Sequence, residues 1–421
     1  MADPSTCPPL IPSSITTAYS KISPYIHKTP LLTSKSLDAI ASSLDPTAFL
    51  SDNPPTFDSA GSETNSGGSR DLDPTPKVKL HFKCENFQEI GAFKARGAFH
   101  AVMRLIEEMG LEEVRRRGVV THSSGNHAQA LALAASTFSI PSYIVMPKIS
   151  APSKIAGTRL YTSNVIFSGS TSQEREAVVQ DVIADKGAIF VPPYDHPDII
   201  LGQGTAGLEM EAQFLEEHCS RGGKTSGFDA VITPIGGGGL LGGIATWFAD
   251  KPGTLVFGAE PSFEGADDAR RGLREGKRIE HVKSLTIADG LRTPVGVINW
   301  SIISDRKKLE GIYAVTEQQI KWTMRLVLER LKIVVEPSGC VPLAVVLFNR
   351  EFRQMVAQRQ MGLEKGYWDV GVVFSGGNTT VKAINALFAE EEQEQQEKVV
   401  DERREGKVGV NGTKEVEDVA G

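Results

Sequence analysis

A lysine in an apolar, glycine-flanked stretch is the first residue of this sequence with a reactive group in an unusual setting. Lys94 follows Phe93 within residues 87–98. A lone lysine is ordinarily a solvated surface residue. A lysine held in an apolar site loses its proton more readily and can act as an imine-forming nucleophile. Lys94 is therefore a candidate catalytic residue.

Four consecutive glycines form the second candidate, between the apolar strand-like run 230–235 and a helix-like stretch from Leu240. Their backbone N–H groups, together with a helix N-terminus, suit an anion and most often a phosphate. A flexible turn is the ordinary alternative. Gly237, Gly239 and Gly242 also have dinucleotide-binding spacing, with Glu260 where such folds place a ribose-binding acid. The glycine run therefore predicts a binding site either for a single phosphate or for the two phosphates of a dinucleotide.

Polar residues follow two other strand-like runs. Residues 121–128 supply Ser123, Ser124, Asn126 and His127, whose groups suit a carboxylate or a ring oxygen. Ordinary helix capping is the alternative for a serine or the asparagine. Ser375 follows the run 370–374 and could make one hydrogen bond. Ligands of α/β sheets bind beyond the carboxyl ends of strands, where each of these motifs is predicted.

Strand-like runs and helical patterns alternate along the chain, which predicts an α/β fold with mostly parallel, buried strands. The helical patterns include residues 98–109 and 128–136. The strand-like runs are 78–83, 118–121, 142–146, 164–167, 188–191, 230–235, 255–259 and 370–374.

Composition and charge limit the classes of protein to which this chain can belong. The 421 residues, 40% of them hydrophobic, predict two domains. The net charge of -7 gives no support to nucleic-acid binding. No stretch reads as membrane-spanning, and the first residues lack signal-peptide features, so we expect a cytoplasmic protein. The four cysteines are widely spaced, with neither metal-type pairs nor a disulfide framework.

Taken together, the motifs resemble the fold-type II pyridoxal-phosphate enzymes, within them the serine racemase and serine/threonine dehydratase group. The similarity runs from about His27 to about Phe388, outside 44–76. It rests on blocks in the family's order: Gly-Ala-Phe-Lys94, Ser-Ser124-Gly-Asn-His, Gly202-Gln-Gly-Thr, the four glycines, Ala259-Glu-Pro, Ile287-Ala-Asp-Gly, Val335-Glu-Pro-Ser and Ser375-Gly-Gly-Asn.

The resemblance implies two open, twisted, mostly parallel α/β domains like those of the tryptophan synthase β-subunit. We expect an N-terminal arm of the large domain (1–43), a disordered insertion (44–76) and an acidic disordered tail (390–421). The large, cofactor-binding domain would comprise 77–96 and 191–389. The small domain, 97–190, would close over the substrate as a lid. A homodimer is also implied.

The same resemblance implies a role for each motif. Lys94 would hold pyridoxal 5'-phosphate covalently, with Phe93 beside the ring, Asn126 at the ring hydroxyl and Ser375 at the pyridine nitrogen. The phosphate would bind the amides of Gly236, Gly237, Gly238 and Gly239. The substrate carboxylate would contact Ser123, Asn126, His127 and Thr293, and Arg175 matches a substrate-loop arginine of the racemases.

These roles predict β-elimination from hydroxy amino acids. A serine, unlike an aspartate, does not keep the pyridine protonated, which makes the ring a weaker electron sink and favours loss of a β-hydroxyl. Lys94 would be the base for the α-proton. The predicted enzyme is an L-serine/L-threonine ammonia-lyase that gives pyruvate or 2-oxobutyrate plus ammonia. Ser124 matches the second acid/base of the racemases, which leaves serine racemisation open beside helix capping.

Three alternatives stay open. Tyr194 stands where vertebrate-type racemases carry asparagine, and its stretch is similar to bacterial hydroxyaspartate and threonine dehydratases, so threo-3-hydroxyaspartate dehydratase is one. A dinucleotide-dependent oxidoreductase and a non-catalytic binding protein on the same fold are the others.

Glu260 has a further interpretation in the racemase-like enzymes, where the Ala-Glu-Pro block supplies a divalent-cation ligand. The resemblance implies Mg²⁺, or Ca²⁺ or Mn²⁺, on Glu260, the Ala266 carbonyl and Asp268. The segment is about two residues longer than the usual racemase spacing, so Gly265 or Asp267 could be the true partner instead. A solvated acidic turn is the ordinary alternative.

Overall fold

Two sheets of buried strands form the framework of the protein. The computed structural model describes residues 3–51, 75–169, 171–220, 227–363 and 365–389, which contain ten strands. They are β1 (Leu31–Thr33), β2 (Val78–Cys84), β3 (Val119–His122), β4 (Ser142–Pro147), β5 (Val165–Ser168), β6 (Ile189–Phe190), β7 (Ala230–Pro234), β8 (Leu255–Pro261), β9 (Gly311–Val315) and β10 (Trp368–Phe374).

The larger sheet has six strands in the order β1-β2-β10-β7-β8-β9. Only β1, at one edge, is antiparallel to its neighbour; the other pairs are parallel. The smaller sheet has the order β5-β4-β3-β6 and is parallel throughout. Every residue of β7 and β10 is buried, which explains their mostly apolar sequences; the exception in β10 is Asp369, whose carboxylate pairs with His81.

Helices connect the strands and cover the sheets. In the described residues they are α1 (Pro12–Ile22), α2 (Lys35–Ala41), α3 (Lys94–Met109), α4 (Leu111–Arg117), α5 (Asn126–Thr137), α6 (Pro152–Arg159), α7 (Ser172–Lys186), α8 (Pro197–Ser220), α9 (Gly239–Phe248), α10 (Asp268–Glu275), α11 (Val297–Ile303), α12 (Glu317–Leu326), α13 (Pro337–Phe348) and α14 (Arg350–Gln360). None of these helices combines the length and apolar composition needed to cross a bilayer.

Close backbone contact fixes the start of α3 against α8. A Cβ added at Gly202 would lie 2.7 Å from both the Arg96 carbonyl oxygen and the Gly97 Cα. A side chain at position 202 would therefore push the two helices apart. Since α3 begins at Lys94, this contact helps to set the position of that residue.

The α/β prediction is confirmed, and the eight predicted strands lie within about two residues of observed ones. β1 and β9 were not predicted. The predicted insertion at 44–76 begins with an ordered turn, the 3-10 helix Pro46–Leu50, in which Phe49 is buried. The rest of that insertion from 52 to 74, and the predicted tail at 390–421, lie outside the described residues.

The described residues up to Asn378 form one compact unit that contains both sheets, and those from Thr379 onward belong to a second. In the described part of the second unit, the Thr380 carbonyl accepts a hydrogen bond from the Ile384 N–H, as in a helical turn. The boundaries predicted between a large and a small domain stay a prediction.

Candidate active site

The Lys94 amine points into the protein, toward the loop that follows β6. Its Nζ donates a hydrogen bond of 2.7 Å to the Pro193 carbonyl and lies 5.1 Å from the centre of the Phe93 ring. Burial lowers the pKa of the amine to about 8. A lysine with this pKa has a substantial neutral, nucleophilic fraction near neutral pH.

The glycine run lies directly against the same loop. A Cβ added at Gly237 would lie 2.3 Å from the Tyr194 ring, and one added at Gly239 would lie 3.1 Å from the Tyr194 carbonyl oxygen. Pro193 and Tyr194 therefore connect the lysine amine with the glycines. Gly238 has a φ of 92°, which glycine adopts without strain, and α9 begins at the next residue.

The amides of this run form an anion-binding cradle. Among the described residues, no hydrogen bond is donated by the N–H groups of Gly236, Gly237 or Gly238. Gly239 is the first residue of α9, so its N–H has no partner within the helix. Unpaired N–H groups at a helix N-terminus are the usual partners of a phosphate.

Ser375 lies beside the candidate nucleophile. Its backbone carbonyl accepts a 3.0 Å hydrogen bond from the Phe93 N–H, and its side chain is buried. The neighbouring Gly376 forms an isolated β-bridge with Ala92. The end of β10 thus holds the turn before Lys94, which brings together two motifs that are 281 positions apart.

Asn126 is held by two residues for which the sequence predicted no role. Its Nδ2 donates a 2.7 Å hydrogen bond to Glu336, and its Oδ1 accepts one of 2.9 Å from Asn378. Asn378 Nδ2 also donates to the Ile90 carbonyl. Ile90 has a φ of 58°, an unfavourable conformation for a β-branched residue. This chain of bonds connects the turn before Lys94 with the start of α5.

A partly buried charge cluster extends from Glu336. Lys154 donates a 2.5 Å hydrogen bond to Asp289, and its Nζ lies 4.0 Å from Glu336 Oε2. Burial raises the pKa of Glu336 to about 7, with Lys154 acting in the opposite direction. Burial alone would lower the pKa of Lys154, but Asp289 and Glu336 raise it. Asp289 and Glu336 belong to the blocks Ile287-Ala-Asp-Gly and Val335-Glu-Pro-Ser. These blocks supported the family resemblance, but no role was predicted for either acid.

The serines before α5 differ in their surroundings. Ser123 Oγ accepts a 3.2 Å hydrogen bond from the Gly125 N–H. Ser124 is exposed, and no side chain caps α5, so the capping alternative for Ser124 is not found. His127 is buried, with Nε2 3.4 Å from the Val191 carbonyl. Burial, and then the Lys94 charge, lower the pKa of His127 to about 3, which keeps it neutral.

Two predicted substrate residues lie on other segments. Arg175, on α7, is partly buried, and burial lowers its pKa while the charge of Tyr194 acts in the opposite direction. Burial, and then Arg175, lower the pKa of His122 to about 4, which indicates that the arginine lies near the end of β3. Thr293 is partly buried in the loop after the 3-10 helix Asp289–Leu291, which packs on Gly236.

The predicted cation ligands Glu260 and Asp268 form an interacting acidic pair. Glu260 is fully buried and accepts the N–H groups of Ala269 and Arg270 at 3.0 and 2.9 Å. Burial and then Asp268 raise the pKa of Glu260 well above its usual value, and burial raises that of Asp268 to about 6. Glu260 thus binds the start of α10, which is not the contact expected of a ribose-binding acid. Ala266, whose carbonyl is the third predicted ligand, is also buried and precedes Asp268 by two residues.

Comparison with known proteins identifies the group to which these features belong. Residues 68–359 match the protein family described as pyridoxal-phosphate dependent enzymes. The chain belongs to this family. It is a pyridoxal-phosphate-dependent enzyme with the fold-type II architecture, which confirms the resemblance and decides against a dinucleotide enzyme.

Individual pyridoxal-phosphate enzymes are similar over most of their length. Serine racemase of Arabidopsis thaliana is 37% identical over 372 residues, 88% of this chain and 94% of that protein. L-threo-3-hydroxyaspartate ammonia-lyase of Saccharomyces cerevisiae is 37% identical over 326 residues, 77% and 90% of the two chains. The structure of maize serine racemase superposes with a TM-score of 0.71 at 32% identity, covering 92% of this chain and 99% of that one.

The chain's own geometry fits pyridoxal phosphate. The four glycines offer unpaired N–H groups for one phosphate, and the buried Lys94 amine adjoins them through Pro193 and Tyr194. Ser375, close to Phe93, has a hydroxyl that suits a ring nitrogen. A phosphate cradle, an amine with a lowered pKa and a neutral hydroxyl are the groups that such a cofactor requires.

Proposed function

We propose that the protein is an ammonia-lyase that converts L-serine to pyruvate and L-threonine to 2-oxobutyrate, and that it also racemises serine. The observation that carries this proposal is the hydrogen bond from Lys94 to Pro193, which holds a buried amine at the border of the glycine cradle. The similarity to serine racemases supports the substrate class.

Lys94, Ser375 and Ser124 would have different roles in the reaction. Bound pyridoxal phosphate supplies the electron sink that makes the α-proton of an amino acid acidic. Lys94 Nζ takes that proton, for which a pKa of about 8 is well suited. Ser375, whose neutral hydroxyl would face the ring nitrogen, would favour loss of the β-hydroxyl. Ser124 Oγ gives or takes a proton on the opposite face, which permits racemisation.

Other residues bind and orient the substrate. Ser123, Asn126 and His127, at the start of α5, would contact the substrate carboxylate together with Thr293. Glu336 and Asn378 fix the amide of Asn126 through the hydrogen bonds described above. Neutral His127 donates a hydrogen bond without adding a charge beside Lys94. Movement of the small domain, 97–190, would exclude water from the site.

The cation, the assembly and the location are part of the same proposal. Mg²⁺ would bind Glu260, Asp268 and the Ala266 carbonyl, because hard cations prefer oxygen ligands and the two acids repel each other without one. We also propose a homodimer, which the family resemblance implies, and a cytoplasmic location.

L-threo-3-hydroxyaspartate is a second candidate substrate, favoured by the partly buried Arg175, which could bind its extra carboxylate. The similar yeast ammonia-lyase supports it.

The decisive assay measures keto-acid release and the chirality of the remaining amino acid. Serine, threonine and 3-hydroxyaspartate would each be tested with Mg²⁺ and with EDTA. Pyruvate together with D-serine supports the proposal. Pyruvate or 2-oxobutyrate without D-serine rejects the racemase part, and oxaloacetate as the main product, lost in Arg175→Ala, favours the second candidate. No keto acid from any substrate would contradict the lyase.

A further inference from the structure

A second cluster of ligand-type side chains lies at the N-terminal arm, apart from Glu260 and Asp268. Within the described residues, the fold brings together Cys7, His196 and Asp198, with one ligand atom from each within 4.8 Å of the others. His196 and Asp198 are buried, and Cys7 is partly exposed. The sequence showed no metal-type cysteine pair, because Cys7 and Asp198 are 191 positions apart.

The distances within this cluster are close to those of a zinc site. Tetrahedral zinc, with bonds of about 2.3 Å to sulfur and about 2.0–2.1 Å to nitrogen or oxygen, separates sulfur from oxygen by about 3.5 Å and nitrogen from oxygen by about 3.3 Å. Cys7 Sγ lies 3.5 Å from Asp198 Oδ2, and His196 Nδ1 lies 3.8 Å from the same oxygen. For these two pairs, an ion would need to draw the ligand atoms together by at most about half an ångström.

The hydrogen bonds leave the ligand atoms in a suitable state. His196 Nδ1 accepts the Asp198 N–H at 3.2 Å, so this nitrogen is unprotonated, and a metal ion on it would replace that hydrogen bond. The Cys7 thiol donates to Asp198 Oδ2, and a metal would replace that proton. Asp198 Oδ1 is buried and makes no hydrogen bond with a described residue, although Arg104 Nε lies 3.5 Å away. The buried carboxylate is therefore only partly satisfied.

We infer that Cys7, His196 and Asp198 bind one zinc ion, with solvent in the fourth position on the exposed side of Cys7. A thiolate, an imidazole and a carboxylate select zinc over magnesium, so this site would differ in chemistry from the Glu260 site. The inference does not depend on the proposed reaction.

The location suggests what the ion would do. His196 stands three positions after Pro193, whose carbonyl holds the Lys94 amine. Asp198 lies in the first turn of α8, and Cys7 belongs to the N-terminal arm. Zinc would thus connect the arm to the loop that positions Lys94, and it would act as a positioning group.

Zinc content and zinc coordination test this inference on the complete holoenzyme. We would incubate the wild type, Cys7→Ala and the matched control Cys219→Ala with Zn²⁺ in Mg²⁺-containing buffer. Cys219 is the exposed cysteine near the end of α8 and lies outside the cluster. After gel filtration, the wild type and the control should retain one more zinc per chain than Cys7→Ala. We expect affinity to fall by at least about 100-fold in Cys7→Ala, since loss of outer partners alone costs 10–100-fold.

X-ray absorption at the zinc edge provides a second measurement that does not need a variant. One sulfur at about 2.3 Å with nitrogen or oxygen at about 2.0–2.1 Å is the expected shell. Equal zinc content in the wild type and Cys7→Ala, or a zinc shell without sulfur, would overturn the inference. Because the readouts are metal content and coordination, their failure is distinct from a failure to release keto acid.

Discussion

The Lys94 amine is expected to react at a lower pH than an ordinary lysine. Burial lowers its pKa to about 8, so its neutral fraction grows up to that pH and is then nearly complete. The rate at which cofactor-depleted protein captures pyridoxal phosphate should rise about tenfold per pH unit below 8 and level off above it, whereas an unperturbed lysine has a pKa of about 10.4. Stopped-flow absorbance from pH 6 to pH 10 measures this rate. A rise that continues beyond pH 9 would show an unburied amine.

Ser124 allows racemisation and elimination to be separated at one residue. Its hydroxyl is exposed and caps no helix, so Ser124→Ala should fold normally. We expect D-serine formation to fall by about 10²–10⁴-fold, the usual contribution of a positioned acid/base, with pyruvate release changed only a few-fold. Chiral chromatography and a coupled pyruvate assay measure the two rates. A parallel loss of both rates would assign Ser124 to binding.

At the level of elements, Glu260 on β8 and Asp268 on α10 should make the effect of a cation on stability depend on pH. Burial raises the pKa values of both Glu260 and Asp268, so the folded protein retains protons that the unfolded chain releases. Without a cation, the contribution of these two acids to stability falls as pH rises from about 4, the unfolded value, toward and above 6. Mg²⁺, as proposed, would bind the ionised pair and should offset this loss of stability.

Magnesium is therefore predicted to raise the melting temperature at pH 7.5 and to have little effect at pH 5. Glu260→Gln should remove the magnesium effect, because it removes one ligand charge. Glu280→Gln is the matched control, since Glu280 is an exposed acid that pairs with Arg278 and lies outside the proposed ligands. Scanning fluorimetry with Mg²⁺ and with EDTA provides the measurement. An equal magnesium shift in Glu260→Gln and the wild type would place the cation elsewhere.

At the scale of the whole molecule, a buried ion network connects the larger sheet with the helices around the site. Arg96 on α3 donates to Glu85 at 2.7 Å and to Glu209 on α8 at 3.0 Å. Lys83 on β2 donates to the same Glu209 oxygen at 2.6 Å. Because Arg96 is two residues from Lys94, the network helps to hold the lysine that we propose as catalytic.

Arg96→Met should reduce the free energy of unfolding by about 3–5 kcal/mol, because it leaves two carboxylates buried without their main partner. Urea denaturation at pH 7 measures this change. The matched control is Arg116→Met on α4, whose ion pair with Glu113 is at the surface, and we expect no measurable change there. A small effect at Arg96 would mean that Lys83 alone balances the acids.

The fold and most of the candidate site could be predicted because their signals are local. Apolar runs marked eight strands, and the motifs stood at strand ends, as parallel sheets require. Glu336, Asn378 and Lys154 were missed because their importance comes from contacts with distant parts of the chain. Asn126 and Glu336, for example, are 210 positions apart. The three-residue β1 was too short to show a pattern.

The most direct test of the account is to identify the lysine that binds the cofactor. Hydride reduction of the holoenzyme, followed by proteolysis and peptide mass spectrometry, would fix the pyridoxyl group on the residue that carries it. The account predicts modification of Lys94 and loss of the visible absorbance band on reduction. Modification of another enclosed lysine such as Lys154, or of none, would contradict it.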